Sequence, residues 1–431
     1  MSTGVSWGRW PRYEQRIIPI TNRFDPLPQA APMLVFGNGR SYGDVCLNDG
    51  GTLLAARSLD RFIGFDAASG VLECEAGVLL SEIIDLTLPR GWFPPVTPGT
   101  ALVTVGGAIA NDVHGKNHHR AGTFGHHVLS FELRRTNGDI LQCAPDDHAD
   151  LFAATIGGLG LTGMITTARL QMRRVPGPWI AGDSQRFGNL HEFFDLAAQS
   201  DASYEYTVAW LDCAASGGKL GRGVFMRGNH VQHDATSGRE RSLRFPVTPP
   251  VSPVTGFTVR LFNEMYFHRP AAQQKHAIWH YRPFLFPLDR LLDWNRLYGP
   301  RGFFQYQCVL PGGEAATALP EMLRLIARSR QGSFLVVLKQ FGNMPSRGLL
   351  SFPRPGVTLA LDFPNRGEPT LQLMEALDGI TRAAGGAVYP AKDARMSAQS
   401  FQQYFPAWKQ MRDYIDPRFS SSFWRRVTRS R

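Results

Sequence analysis

The sequence predicts an α+β protein of more than one domain, and three observations carry that prediction. At roughly 150 residues per domain, 431 residues exceed one small core, and a composition 43% hydrophobic and 19% charged is that of a globular chain. Positions 1–175 are dense in glycine and short strands, with helices that do not alternate strictly between them, which argues against a simple doubly wound sheet. Beyond a seam at Val175-Pro176-Gly177-Pro178 the glycine motifs thin out, aromatics increase and strand–helix–strand patterns follow.

Element by element, Met33 to Phe36, Thr52 to Ala55 and Val71 to Glu75 are short apolar runs bounded by turn residues, hence strands. Leu80, Ile83, Ile84 and Leu88 repeat at helical spacing, and Gly91 ends that helix. Asn137-Gly138 between Val128–Thr136 and Ile140–Ala144 marks a hairpin. Ala149 to Thr155 reads as a helix stopped by Gly157-Gly158, and Met164 to Met172 as a strand. Downstream, helices are expected over Leu319–Arg328 and Thr370–Ala384, and strands over Ser333–Phe341 and Val357–Phe363. The Pro246–Pro253 stretch, with Ser237-Gly238-Arg239-Glu240-Arg241 before it, reads as a mobile surface segment.

The formal net charge of +10 suits phosphates, on nucleic acid, on an anionic membrane, or on a substrate or cofactor. The one dense basic run, Arg425, Arg426, Arg429 and Arg431, lies at the C-terminus without a nucleic-acid-binding signature nearby, so no nucleic acid is expected. Five scattered cysteines without a CxxC pair suggest neither a disulfide framework nor a zinc site, and point to a reducing compartment. No apolar run reaches the length of a spanning helix and no secretory signal opens the chain, so a cytoplasmic protein is expected.

Three glycine patterns compete for function. Gly39-Arg40-Ser41-Tyr42-Gly43 matches the GxSxG elbow of serine hydrolases, but a turn follows it where that elbow needs a helix. Gly158-Leu159-Gly160-Leu161-Thr162-Gly163 matches GxGxxG, but a helix precedes it and a strand follows, the reverse of a dinucleotide-binding unit. The third runs from Thr104 to His119, where small residues let the main chain approach a planar or phosphorylated ligand. Its three histidines lack the carboxylate or cysteine that would complete a ligand set, so no metal is expected. Several such stretches within one half of the chain favour a single large phosphate-bearing cofactor.

Gly37 to Asp44, Pro98-Gly99-Thr100, Thr104 to His119, Gly122-Thr123-Phe124-Gly125 and Gly157 to Gly163 together resemble the FAD-binding half of the vanillyl-alcohol oxidase/p-cresol methylhydroxylase (PCMH-type) superfamily. His114-Gly115-Lys116-Asn117-His118-His119, Trp294-Asn295-Arg296, Phe304-Gln305-Tyr306-Gln307 and Ala391-Lys392-Asp393 further resemble its flavoproteins that oxidise polyprenylphosphoryl ribose. The resemblance spans nearly the whole chain. It implies an FAD domain over 1–175, a β-sheet substrate domain over 176–387, and a segment 388–431 that completes the FAD domain. It also implies that Gly37, Asn38, Gly39, Arg40, Ser41, Tyr42, Gly43 and Asp44, with Gly99, Thr104, Val105, Gly106 and Gly107, hold the pyrophosphate end through backbone N–H groups. Asn111, Val113 and His114 would line the flavin ring, Ile165 the adenosine end, and Tyr389 would return to the flavin. Covalent relatives often carry histidine where this chain has Arg40, so FAD is expected to be non-covalent.

The reaction implied is oxidation of a ribose 2-hydroxyl on a polyprenyl phosphate to a ketone, the first half of epimerisation to the arabinose donor. A short-chain dehydrogenase/reductase partner would complete it, and peripheral membrane contact through the basic tail would bring the protein to its lipid. Such chemistry needs a base on the hydroxyl, and Lys392 is the candidate, because burial moves a lysine toward neutrality. His114 is the second catalytic candidate. Lys116, Gln305, Gln307 and Lys339 form the substrate-side set; the two glutamines share one strand face, and Lys339 sits in an apolar strand where it requires a phosphate or carboxylate partner. The chain departs from actinobacterial members at Thr358, at Ala360 and through Leu285 to Asp289. The runner-up is therefore a soluble sugar or polyol oxidase, or an aldonolactone oxidoreductase, of the same fold.

Overall fold

The computed structural model describes residues 4–235 and 242–429. It is an α+β structure whose first half holds two small sheets and a two-stranded ribbon of Trp92–Phe93 with Arg173–Arg174. Arg16–Pro19, Thr52–Ala55 and Met33–Phe36 form a parallel sheet with Thr52–Ala55 central. The second sheet runs Phe62–Asp66, Val71–Glu75, Met164–Gln171, Val128–Arg134, Ile140–Cys143, all antiparallel. Its Asn137-Gly138 turn places Gly138 at φ +98°, a conformation glycine tolerates, and the Arg135 N–H donates to Asp139 O at 3.0 Å. Thr104 caps the helix Val105–Ala110 by accepting the Gly107 N–H.

The second half is built on one eight-stranded sheet. Its order is Gln274–His280, Trp179–Phe187, Gly223–Val231, Tyr206–Leu211, Val336–Phe341, Gly356–Pro364, Phe303–Leu310, Ala387–Val388. One face packs against Leu190–Asp201, Gly312–Ser329 and Glu368–Ala383 in a core shared with Phe401, Phe405, Phe423 and Trp424 of the tail. The other face is turned toward the first half. The helix expected from Leu319 starts at Gly312, because its buried stripe (Ala315, Ala318, Leu319, Met322, Leu323, Ile326) continues across Pro320 and packing outweighs local propensity. The strand expected from Ser333 starts at Val336, because Ser333 Oγ accepts the Leu335 N–H in a tight turn. Ser237 to Arg241 lie outside the described residues, apart from the Pro246–Pro253 stretch, which has neither helix nor strand.

The tail folds back onto the first half. Met33 N–H donates to Arg418 O at 2.7 Å, and Ser420 N–H to Met33 O at 2.9 Å. The helix Ser422–Thr428 then delivers Arg426 between two buried carboxylates, donating to Asp44 Oδ1 (2.7 Å) and Oδ2 (2.9 Å) and to Asp393 Oδ2 (3.0 Å). Arg425 donates to Asn48 Oδ1 at 2.6 Å. The basic tail expected to meet lipid is thus partly consumed inside the protein: two of its arginines neutralise and cap the first half, and Arg431 lies outside the described residues. Removing Arg426 strands both carboxylates. Arg426→Leu should therefore cost about 3–5 kcal/mol, read as a lower urea midpoint at unchanged slope; an unaltered midpoint would show that water replaces the guanidinium.

Candidate active site

Between the two halves lies a cavity of about 780 Å³, within the range of about 300–1,000 Å³ typical of cofactor and substrate sites. Its first wall is the loop after the strand Met33–Phe36. Gly37, Asn38, Gly39, Arg40, Ser41 and Tyr42 all face the cavity. Gly39 has φ +60°, and a Cβ there would lie 2.8 Å from Val5 O, so only glycine makes this bend. Asn38 Nδ2 donates to Leu102 O at 2.7 Å, tying this loop to the second wall. The Arg40 guanidinium stacks 4.2 Å over Trp7, and its Nε is buried without a hydrogen-bond partner.

The second wall is Gly99, Thr104, Gly106, Gly107, Asn111 and Val113, with Ile165 from the neighbouring sheet. Asn111 Oδ1 is also buried without a partner, while its carbonyl accepts from the Tyr389 hydroxyl at 2.8 Å. A flavin ring edge and a pyrophosphate need such unpaired donors and acceptors, beside small residues that let the backbone come close. The residues present fit FAD on that ground.

Four residues of the expected cofactor set are engaged elsewhere. Val105 is in the hydrophobic core and its N–H donates to Val78 O at 2.9 Å; the Gly106 N–H is likewise spent on Ala76 O at 2.8 Å, although Gly106 still borders the cavity. These bonds tie the helix they open to the turn after the strand Val71–Glu75, so the two donors are not offered to a phosphate. Gly43 does not line the cavity but lies flush against the loop bearing Lys392, where a Cβ would sit 1.8 Å from Asp393 O. Asp44 turns away to Arg426.

The third wall brings the chemistry. His114 is buried, and burial first, then Lys339, holds its imidazolium well below the usual histidine range. The Gln307 amide nitrogen lies 2.9 Å from His114 Nε2 and donates to Thr358 Oγ1 at 3.1 Å. On the other side of the ring Nδ1 faces Lys339 Nζ at 3.1 Å, so the neutral imidazole bridges an amide and an amine. Lys339 also donates to Gly115 O at 3.3 Å, and burial followed by Lys116 and Lys392 lowers it to about 7. Within the chain Lys339 therefore meets an imidazole and a carbonyl in place of the expected acid. Lys116 donates to Phe284 O, and burial brings it to about 7.

Lys392 does not pair with its neighbour Asp393, which belongs to Arg426. Its Nζ lies 4.1 Å above the Tyr42 ring, inside the cavity, and burial lowers it to about 8 against the opposing pull of Asp362. Asp362, unnoticed in the sequence, lines the same space; burial raises its carboxyl to about 7 although Gln305 Nε2 donates to Oδ1 at 2.6 Å. A lone acid in the apolar strand Gly356–Pro364 was the available signal, the same one that pointed to Lys339. The departures Thr358 and Ala360 line the cavity, as do Leu285, Pro287, Leu288 and Asp289. Aromatic residues absent from the sequence reading, among them Trp210, Phe262 and Tyr266, line it too, beside Trp294 of the Trp294-Asn295-Arg296 motif. The whole arrangement sets amines able to lose a proton near neutrality next to groups suited to a flavin.

A model of the FAD binding domain matches residues 28–144. The chain is 36% identical over 408 residues to the decaprenylphosphoryl-beta-D-ribose oxidase of Mycolicibacterium smegmatis, covering 91% of this chain and 88% of that protein. An uncharacterised Streptomyces coelicolor protein from the mprA 5′ region is 33% identical over 81% of this chain and 100% of its own length. Cytokinin dehydrogenase 3 of Arabidopsis thaliana shares 30% identity over only 34% of this chain and 28% of its own. The chain belongs to the decaprenylphosphoryl-β-D-ribose oxidase family, FAD-dependent oxidoreductases of the PCMH type.

Proposed function

We propose that this protein oxidises the ribose 2-hydroxyl of a polyprenylphosphoryl-β-D-ribose to the 2-keto sugar, and that a short-chain dehydrogenase/reductase completes the epimerisation. The observation that carries this reading is Lys392, a half-buried amine on the cavity wall whose pKa desolvation lowers to about 8. FAD, bound without a covalent link, supplies the hydride acceptor. Gly37 to Tyr42, Gly99, Thr104, Gly107, Asn111, Val113, Ile165 and Tyr389 hold it. Lys392 takes or orients the hydroxyl proton, because a neutral amine beside a desolvated alcohol is a competent base. His114, Gln305 and Gln307 orient the sugar; Lys116 and Lys339 supply the positive charge that a phosphodiester brings into balance. The protein works peripherally at the cytoplasmic face of the membrane that holds its lipid.

Three outcomes follow. Lys392→Met should keep its fold and its FAD, since the cofactor is gripped elsewhere, yet lose about 10² to 10⁴ in the rate at which polyprenylphosphoryl ribose bleaches the flavin anaerobically. Dithionite should still reduce it, free polyols should not bleach even the wild type, and bleaching of the variant at the wild-type rate would make Lys392 structural. In the wild type the bleaching rate should climb with pH and level off above about 8, because only the unprotonated lysine accepts a proton; a flat profile assigns the proton elsewhere. Acid precipitation should leave the yellow colour in the supernatant, whereas colour in the pellet means a covalent flavin.

A further inference from the structure

The cavity opens beside the helix Gly256–His268, and that opening is apolar. Phe257, Leu261 and Met265 stand one turn apart on one side of the helix and are 76%, 53% and 67% exposed. Phe262 and Tyr266, on an adjoining face of the same helix, line the cavity. Across the opening, Leu243 pairs with Leu291 in a two-stranded parallel ribbon, and both are exposed while Leu291, Arg244 and Leu292 border the cavity. Val247 and Val251, between ribbon and helix, are exposed as well.

The charge around this rim is net positive. From Leu243 to Arg296 the sequence holds seven lysines and arginines against three acidic residues. Two of those acids are engaged: Glu264 pairs with Arg222, and Asp293 with Arg244 and Arg296 at 3.5 Å. Arg260 projects from the exposed face of the helix beside Phe257 and Leu261. Large apolar side chains ringed by cations describe a surface made for the boundary between anionic headgroups and acyl chains.

We infer that the helix Gly256–His268 and the Leu243/Leu291 ribbon dock onto an anionic phospholipid bilayer and hold the cavity mouth against it. The inference rests on the reading of the substrate as a polyprenyl glycolipid: its sugar enters the cavity while its chain stays in the membrane. It also moves the membrane contact from the arginine tail, where the sequence located it, to the opposite end of the site.

The test is co-sedimentation of the FAD-loaded protein with vesicles of phosphatidylcholine, alone or mixed with phosphatidylglycerol. Binding should require phosphatidylglycerol and weaken with salt. Phe257→Ser/Leu261→Ser/Met265→Ser should bind at least about tenfold more weakly, given the apolar area removed, with wild-type flavin content and melting temperature. Leu261→Asp, a single change at an exposed position, guards against a folding defect in the triple variant, and Arg429→Ser in the tail should bind as the wild type does. Wild-type protein that ignores anionic vesicles, or serine variants that bind them fully, would overturn the inference. So would a triple variant that shifts from dimer to monomer on a sizing column with vesicle binding unaltered, since the face would then join two copies of the chain. The substrate reading fails separately: vesicle binding without flavin bleaching by the glycolipid leaves the docking face standing, and bleaching in detergent without vesicle binding removes the docking face alone.

Discussion

Asp44 and Asp393 are buried side by side, and one guanidinium, Arg426, serves both. Two carboxylates out of water repel each other and lose hydration, so neither position is tenable without that cation. Asp44 follows the first glycine loop, Asp393 follows Lys392, and Arg426 comes from the last helix. The same junction is reinforced by the Tyr42 N–H donating to Ala391 O at 2.9 Å and by Gly43 lying flush on Asp393. The distance between the cofactor loop and the candidate base is therefore set by one ion triad that closes the chain on itself.

What this closure encloses is electrostatically unusual. Lys116, Lys339 and Lys392 share the cavity with Asp362, and burial pushes all four toward neutrality. A core selected for stability alone would not gather three desolvated amines on one wall. Proton transfer near physiological pH needs groups whose charged and neutral forms are close in free energy, and desolvation brings the amines down to that point, for Lys392 against the opposing pull of Asp362. The neutral His114 ring fits the same pattern, bridging Gln307 and Lys339.

The cavity combines polar and apolar lining. Lys116, Lys339, Lys392, Gln305 and Gln307 border it with the glycine loops, and Phe262, Tyr266, Leu291 and Leu292 border it at the helix Gly256–His268 and the ribbon. A ligand with a charged head and an apolar tail finds partners for both in that lining. The arginines of the tail take no part in it, because Arg425 and Arg426 are bonded to Asn48, Asp44 and Asp393.

Much of this was legible in the sequence by itself. Turn chemistry at Asn137-Gly138, the apolar runs of the strands, and the helical spacing from Leu80 depend on neighbours a few residues apart, and they formed where expected. Lone charges in apolar strands are also local signals: Lys339 was read that way, and Asp362 could have been. Tertiary structure decided what depends on residues far apart. Backbone donors of Val105 and Gly106 went to Val78 and Ala76, which no motif announces. Pro320 stayed inside a helix because a buried stripe on both sides outweighed its missing N–H. The basic tail, dense in charge and terminal in position, became an internal clamp because two buried carboxylates, Asp44 at 382 residues' separation and Asp393 at 33, needed its guanidinium. Periodicity reports which side of an element is apolar; which polar group it finally meets is settled only when the chain closes and every buried donor and charge must find a partner.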